Sequence, residues 1–158
     1  METEVTPRYG ITIEEAPAET IASVTAVATL ETIGDVVQEA FRTLGTAIGA
    51  AHAFADAPPG LIVLEMGGGE MTVEVFMPVA RAFDAPAGVR VHALDGGRLA
   101  TTVHEGRYDL IGGAYQALEA WIADHREVSN GPPRERYLND PHAVGEDAAR
   151  TKVEFPIA

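Results

Sequence analysis

The chain has 158 residues, 46% apolar and 22% charged, with no cysteine; these values suit one soluble domain with one core and exclude disulfides, thiolate metal sites and a cysteine nucleophile. Its 24 acidic against 11 basic residues leave a net charge of −13, a field that repels phosphate backbones, argues against nucleic-acid binding and concentrates cations near any open cleft. No apolar run reaches the ~18 residues of a membrane span, and the polar start METEVTPRYG lacks the basic and apolar parts of a secretory signal, so no membrane association and a cytoplasmic location are expected.

Residues 1–8 read as a flexible tail. In YGITIEEAP (9–17), Ile11 and Ile13 alternate with polar neighbours, the period of a half-buried strand. TIASVTAVATL (20–30), rich in β-branched residues, predicts a second strand. The period then changes: over 31–54, Ile33, Val37, Ala40, Phe41, Leu44 and Ile48 recur at three- and four-residue steps, the pattern of an amphipathic helix. ADAPPG (55–60) ends it. LIVLEM (61–66) and MTVEVFMPV (71–79), joined by the turn GGGE, predict a hairpin, and 80–88 is a linker.

The same order returns in the second half. VRVHAL (89–94) and RLATTVHEG (98–106) read as strands, and 107–125 as a helix with Tyr108, Ile111, Tyr115, Leu118 and Ile122 on one face. RERYLND (134–140) reads as a short strand between proline-rich breakers, 141–149 as a loop and 150–158 as the closing strand. A shift of 78 positions lays Ala22 on Ala100, Ile33 on Ile111, Gly34 on Gly112 and Pro78 on Pro156, so VFMPV overlies VEFPI. The expectation is an α+β fold of tandem duplicated βαββ units, about 9–79 and 89–158, forming an antiparallel sheet with two helices flanking a central cleft. Such interfaces favour pockets.

In the short strand, alternation puts Glu135 and Tyr137 on one face and Arg134, Arg136 and Leu138 on the other. Glu135 has two readings. It is an exposed glutamate paired across the sheet with Arg98 or Lys152, worth about 0–1 kcal/mol, or it lies under the helices and needs a cationic partner or a proton. Tyr137 offers a ring to a cation and a hydroxyl to an anion. Tyr115 and Phe41 fall on the inner helix faces, and Trp121 lies one position off the main stripe, able to line the cleft edge. The five histidines form no HxH, HxxxH or HExxH pattern, so no metal site is expected, and no cofactor motif occurs. His104, beside Glu105, reads as a surface residue at a strand end.

The run GRYDLIGGAYQALEAWIADH, followed by GPPRERYLNDP and KVEFPIA, resembles the GyrI-like small-molecule-binding family, over about residues 9–158. Members serve as effector-binding domains of AraC-type and MerR-type regulators and as stand-alone proteins. With about eight residues before the first strand, this chain is expected to be a stand-alone member without a helix-turn-helix. The resemblance implies a ligand that is hydrophobic, often aromatic and often cationic, with Glu135 as the acid of the cleft. The expected ligand-binding set is Glu135, Tyr137, Tyr115, Phe41 and Trp121. Some stand-alone relatives hydrolyse cyclopropane-bearing electrophilic natural products; the alternative expectation is therefore a hydrolase in which Glu135, with Tyr137, acts as general acid or base. Either form is compatible with a monomer or a homodimer.

Overall fold

Alternation and β-branching produce eight strands within residues 9–158, the part of the chain that the computed structural model describes; the expected tail, 1–8, lies outside the described residues. The strands are β1 (Thr12–Ala16), β2 (Glu19–Ala28), β3 (Gly60–Gly67), β4 (Glu70–Pro78), β5 (Arg90–Leu94), β6 (Gly97–Glu105), β7 (Arg134–Tyr137) and β8 (Arg150–Ile157). Three helices accompany them: α1 (Ile33–Ala50), α2 (Gly112–Asp124) and the short α3 (Pro141–Val144). All strands join one antiparallel sheet in the order β1-β6-β8-β7-β3-β4-β2-β5. The α+β class and the antiparallel sheet agree with the sequence reading.

The expected β3–β4 hairpin closes at Gly68 (φ 61°) and Gly69 (φ 80°), the positive-φ pair that a tight two-residue turn needs. The pairing of the first strand was not legible locally. β1 does not pair with β2 but crosses to β6, with Thr12 opposite Thr101. β5 crosses the other way to β2, with Glu19 opposite Leu94. β3 and β7 meet at the centre, Leu61 opposite Glu135.

One sheet face carries the helices. Leu44 and Ile48 of α1 pack on Ala22, Leu61, Val73 and Val75, while Ala114, Leu118 and Ile122 of α2 pack on Ala100, Val153 and Phe155. Each fully buried Leu or Ile contributes about 1.5–3 kcal/mol. The β3–β7 junction lies where these two clusters adjoin. α1 ends at Ala50 rather than running to residue 54. His52 enters the left-handed region (φ 51°) and Ala53 N–H bonds back to Ile48 O at 3.1 Å, a reversal usually made by glycine. Arg126 (φ 55°) does the same after α2.

The other face is charged yet buried. Arg134 and Arg136 both donate to Glu154 Oε1, at 3.0 and 3.4 Å, and Arg136 also bonds Glu19 of β2. β7 and β2 are three strands apart, about 14 Å along a flat sheet, so this contact requires the sheet to curl with the charged face inside. The arrangement is a curled half-barrel. Lys152 reaches Glu14 Oε2 at 2.7 Å and Glu154 Oε2 at 3.4 Å. Its hydrogen bond holds the Glu14 carboxyl below the ordinary carboxylate range.

Candidate functional site

Pro132 and Pro133 on one side and Asp140-Pro141 on the other leave room for only the short strand β7. It is pinned on both edges: Tyr137 N–H donates to Pro59 O at 2.9 Å and Val63 N–H to Pro133 O at 3.0 Å, while Glu135 lies opposite Leu61 on β3 and Val153 on β8. Alternation sends Arg134 and Arg136 to the charged interior and turns Glu135 toward the helices, where it is 3% exposed. The partners open to an exposed glutamate are engaged elsewhere. Arg98 bonds Glu127 at 3.2 Å, and Lys152 sits on Glu14.

Among the described residues, the hydrogen-bond partners of Glu135 are three phenols. Tyr108 donates to Oε1 at 2.7 Å, Tyr137 donates to Oε1 at 3.3 Å, and Tyr115 donates to Oε2. Burial pushes the Glu135 carboxyl above its ordinary value, against the three hydroxyls, which pull it down. The same burial, followed by the adjacent carboxylate, pushes all three phenols up, so they remain protonated donors.

A pH dependence follows. The Glu135 carboxyl is harder to ionise in the folded state, so its contribution is full below the ordinary value of about 4.3 and is lost as pH rises through the folded value. Glu135→Gln cannot ionise. The stability of the native protein relative to this variant should therefore decline with rising pH, by at most about 1.4 kcal/mol per pH unit. Parallel denaturant titrations from acidic to neutral pH measure it; a flat difference would show that burial does not oppose ionisation.

Tyr108 is placed by a turn that the helix pattern concealed. The run read as one helix from 107 breaks into a 3-10 turn, Tyr108–Leu110, before α2 starts at Gly112. Gly112 and Gly113 each disfavour helix by about 1 kcal/mol relative to alanine. His104 anchors this turn. It is 4% exposed, not on the surface as its position suggested, and its Nε2 lies 2.8 Å from Arg107 O. A carbonyl only accepts, so Nε2 carries the hydrogen, and Nδ1 accepts from Tyr9 O–H at 2.9 Å.

In front of Tyr108 and Tyr137 lies a cavity of about 590 Å³, walled by Val37 and Phe41 of α1, the two tyrosines, and Pro141 and His142 of α3. α3 occupies the segment read as a loop; Asp140 caps it by accepting from His142 N–H at 2.9 Å, and Pro141 sits in its first turn. Gln38 Nε2 and His142 Nε2, 3.1 Å apart, tie α1 to α3. Phe41 meets the Tyr137 ring edge-on with centroids 6.1 Å apart. The five residues singled out from sequence are thus placed differently. Tyr137 and Phe41 line the cavity, Glu135 and Tyr115 stand behind its aromatic wall, and Trp121 stacks on His125 at 4.0 Å. Tyr108 and His142 were missed. The signal for Tyr108 was its seven-residue spacing from Tyr115; nothing local marked His142. A shallower, larger hollow of about 900 Å³ lies along α1 between Arg42, Thr46 and Asp84–Ala87, distant in sequence and chemistry from this acid. Among the described residues, no cluster of His, Asp or Glu suited to a metal occurs and no helix is long and apolar enough to cross a membrane.

The whole of this sheet, with its helices, falls within a known family model. The GyrI-like small molecule binding domain matches residues 9–158. The chain belongs to the GyrI-like family. Among solved structures, the EcmrR C-terminal domain superposes with a TM-score of 0.79 at 19% identity, covering 95% of this chain and 98% of that one. In the EcmrR–DNA complex the match covers 94% of this chain but 57% of the EcmrR chain. SAV2435 bound to tetraphenylphosphonium gives 0.66 at 13% identity, covering 96% and 94%. A hydrolase from Listeria innocua gives 0.72 at 11% identity, covering 96% and 93%. At these identities the likenesses establish the fold alone. No curated protein matches the GyrI-like chain.

Proposed function

We propose that this GyrI-like domain captures hydrophobic organic cations in the cavity before Tyr108 and Tyr137, with Glu135 supplying the negative charge behind them. The observation that carries the reading is the Glu135 carboxyl, buried with phenols as its hydrogen-bond partners. An ionised acid in such a place favours any positive group brought near it, and tyrosine rings attract cations through their faces. The cavity volume falls within the ~300–1,000 Å³ of drug-sized sites, and the net charge of −13 draws cations toward it. That SAV2435 has been seen bound to tetraphenylphosphonium supports this ligand class.

The test is thermal unfolding with tetraphenylphosphonium chloride beside neutral triphenylphosphine oxide. At a hundredfold excess over Kd the cation should add about 2.7 kcal/mol, or a Tm rise of roughly 5–10 °C. The neutral compound should add much less, and Glu135→Gln should shrink the difference. Equal shifts from both compounds would remove charge recognition.

Hydrolysis, with Glu135 and Tyr137 catalytic, is the second reading; a carboxyl that resists ionisation suits a general acid. The cavity wall is made by Tyr108 and Tyr137 with the carboxyl behind them, and this favours capture over attack on a substrate. We also read the two halves as copies of one unit. The 78-residue offset carries Thr12 to Arg90 and Glu19 to Gly97, the first residues of β1 and β5, and of β2 and β6. At the central junction the halves differ in chemistry, Leu61 facing Glu135.

A further inference from the structure

We infer that in the empty site the proton is the counter-ion of Glu135, enclosed by three phenols and apolar side chains with no basic group beside it among the described residues, and that a permanent cation seated against Tyr108 and Tyr137 drives this proton to solvent. The inference rests on the cation-binding reading and adds to it a coupling between ligand and proton. Its basis is what surrounds the carboxyl. β3 and β8 present Leu61 and Val153 beside it. α2 presents Tyr115, the 3-10 turn Tyr108, and β7 itself Tyr137. α1 contributes Phe41, packed on Tyr137. The nearest arginines in sequence, Arg134 and Arg136, leave by the opposite face and are matched there by Glu154 and Glu19. Asp140, His142 and Arg150 stand at the cavity wall, in front of the tyrosines.

Phenol hydroxyls donate hydrogen bonds but bring no positive charge. A carboxylate so buried lacks a counter-ion, and the proton is the cation available to it from water. An organic cation competes for that role. Its arrival leaves Glu135 as COO⁻ with three O–H donors already aimed at its oxygens, and the displaced proton departs as H⁺ with no other bond made or broken. Linkage makes the effect reciprocal: the cation binds more weakly as the medium becomes more acidic.

Calorimetric titration with tetraphenylphosphonium chloride, in phosphate and in Bis-Tris at matched pH values from mildly acidic to neutral, reads the proton directly. The observed heats should differ between buffers by the difference in their ionisation enthalpies multiplied by the fraction of a proton released per cation bound. Affinity should rise with pH, by at most about tenfold per unit, and level off once Glu135 is ionised. Glu135→Gln should lose the proton release, which assigns it to this carboxyl rather than to the cavity rim. Identical heats in both buffers with a pH-independent Kd, while the cation still binds, would overturn the coupling and leave cation capture standing. Absence of binding in either buffer would overturn both. If Glu135→Gln folds poorly, the infrared band of a protonated carboxyl in the native protein still decides the matter: it should fade as the cation binds, and an unchanged band would overturn the coupling.

Discussion

Glu154→Ala is expected to destabilise the domain by about 3–5 kcal/mol, because it strands two buried cations at once. Arg134 and Arg136, 5% and 6% exposed, both donate to Glu154, which is itself 4% exposed. Arg136 would retain Glu19 and the Phe76 ring, over which its guanidinium carbon sits at 4.9 Å. Arg134 would keep no acid among these pairs. Glu154→Gln should cost less, since an amide oxygen still accepts both N–H groups. Replacing all three charged residues together by Met or Leu should recover much of the loss, because a matched buried cluster is often no more stable than an apolar one. Urea denaturation of the four proteins separates the cases. A loss below about 1 kcal/mol for Glu154→Ala would mean that water reaches the interior of the curl and solvates the guanidinium groups.

The second large effect is expected at Gly60. A Cβ at this position would lie 1.8 Å from the backbone oxygen of Glu135 and 3.0 Å from the Phe76 ring. Backbone cannot rotate away as a flexible side chain would, so Gly60→Ala must part β3 from β7. The expected loss is about 3 kcal/mol or more, at the upper end for an added methyl group. It should also weaken cation binding disproportionately, since the strand displaced is the one carrying Glu135 and Tyr137. Tm and tetraphenylphosphonium affinity measured on the same sample test this. An alanine variant with native Tm would show that the two strands have room to spare at their closest approach.

The strands and the two long helices could be read from sequence because their information is local. Ile33, Leu44 and Ile48 announce a helix face whatever lies opposite, and the Glu135–Tyr137 alternation puts both on one side of any strand. What escaped depends on distant partners or on strained local choices. The stop of α1 rests on His52 adopting a conformation usually left to glycine. Tyr108 looked like one more residue of a helix, whereas α2 starts only at Gly112 and Tyr108 lies in a separate 3-10 turn that His104 fastens. The burial of His104 depends on Tyr9, ninety-five positions away in sequence. Trp121 fits the cleft-edge position by periodicity, yet His125, one helical turn on, takes up its ring. Asp140 and Pro141 form a legible helix start, but the surrounding charges and breakers read more strongly as a loop.

The exchange of β1 and β5 between the halves bears on how the chain is made. Thr12 leaves the ribosome early, but the residue it faces, Thr101, is synthesised 89 positions later. At about 5–20 residues per second, the nascent polypeptide spends several seconds with its first strand unattached. During that interval β2, β4 and β3 can assemble under α1, but both borders of that partial sheet are raw, awaiting β5 and β7. Such borders recruit other chains, so slow translation of the second half, or a shortage of chaperones, should lower the yield of native protein more than any change confined to its surface.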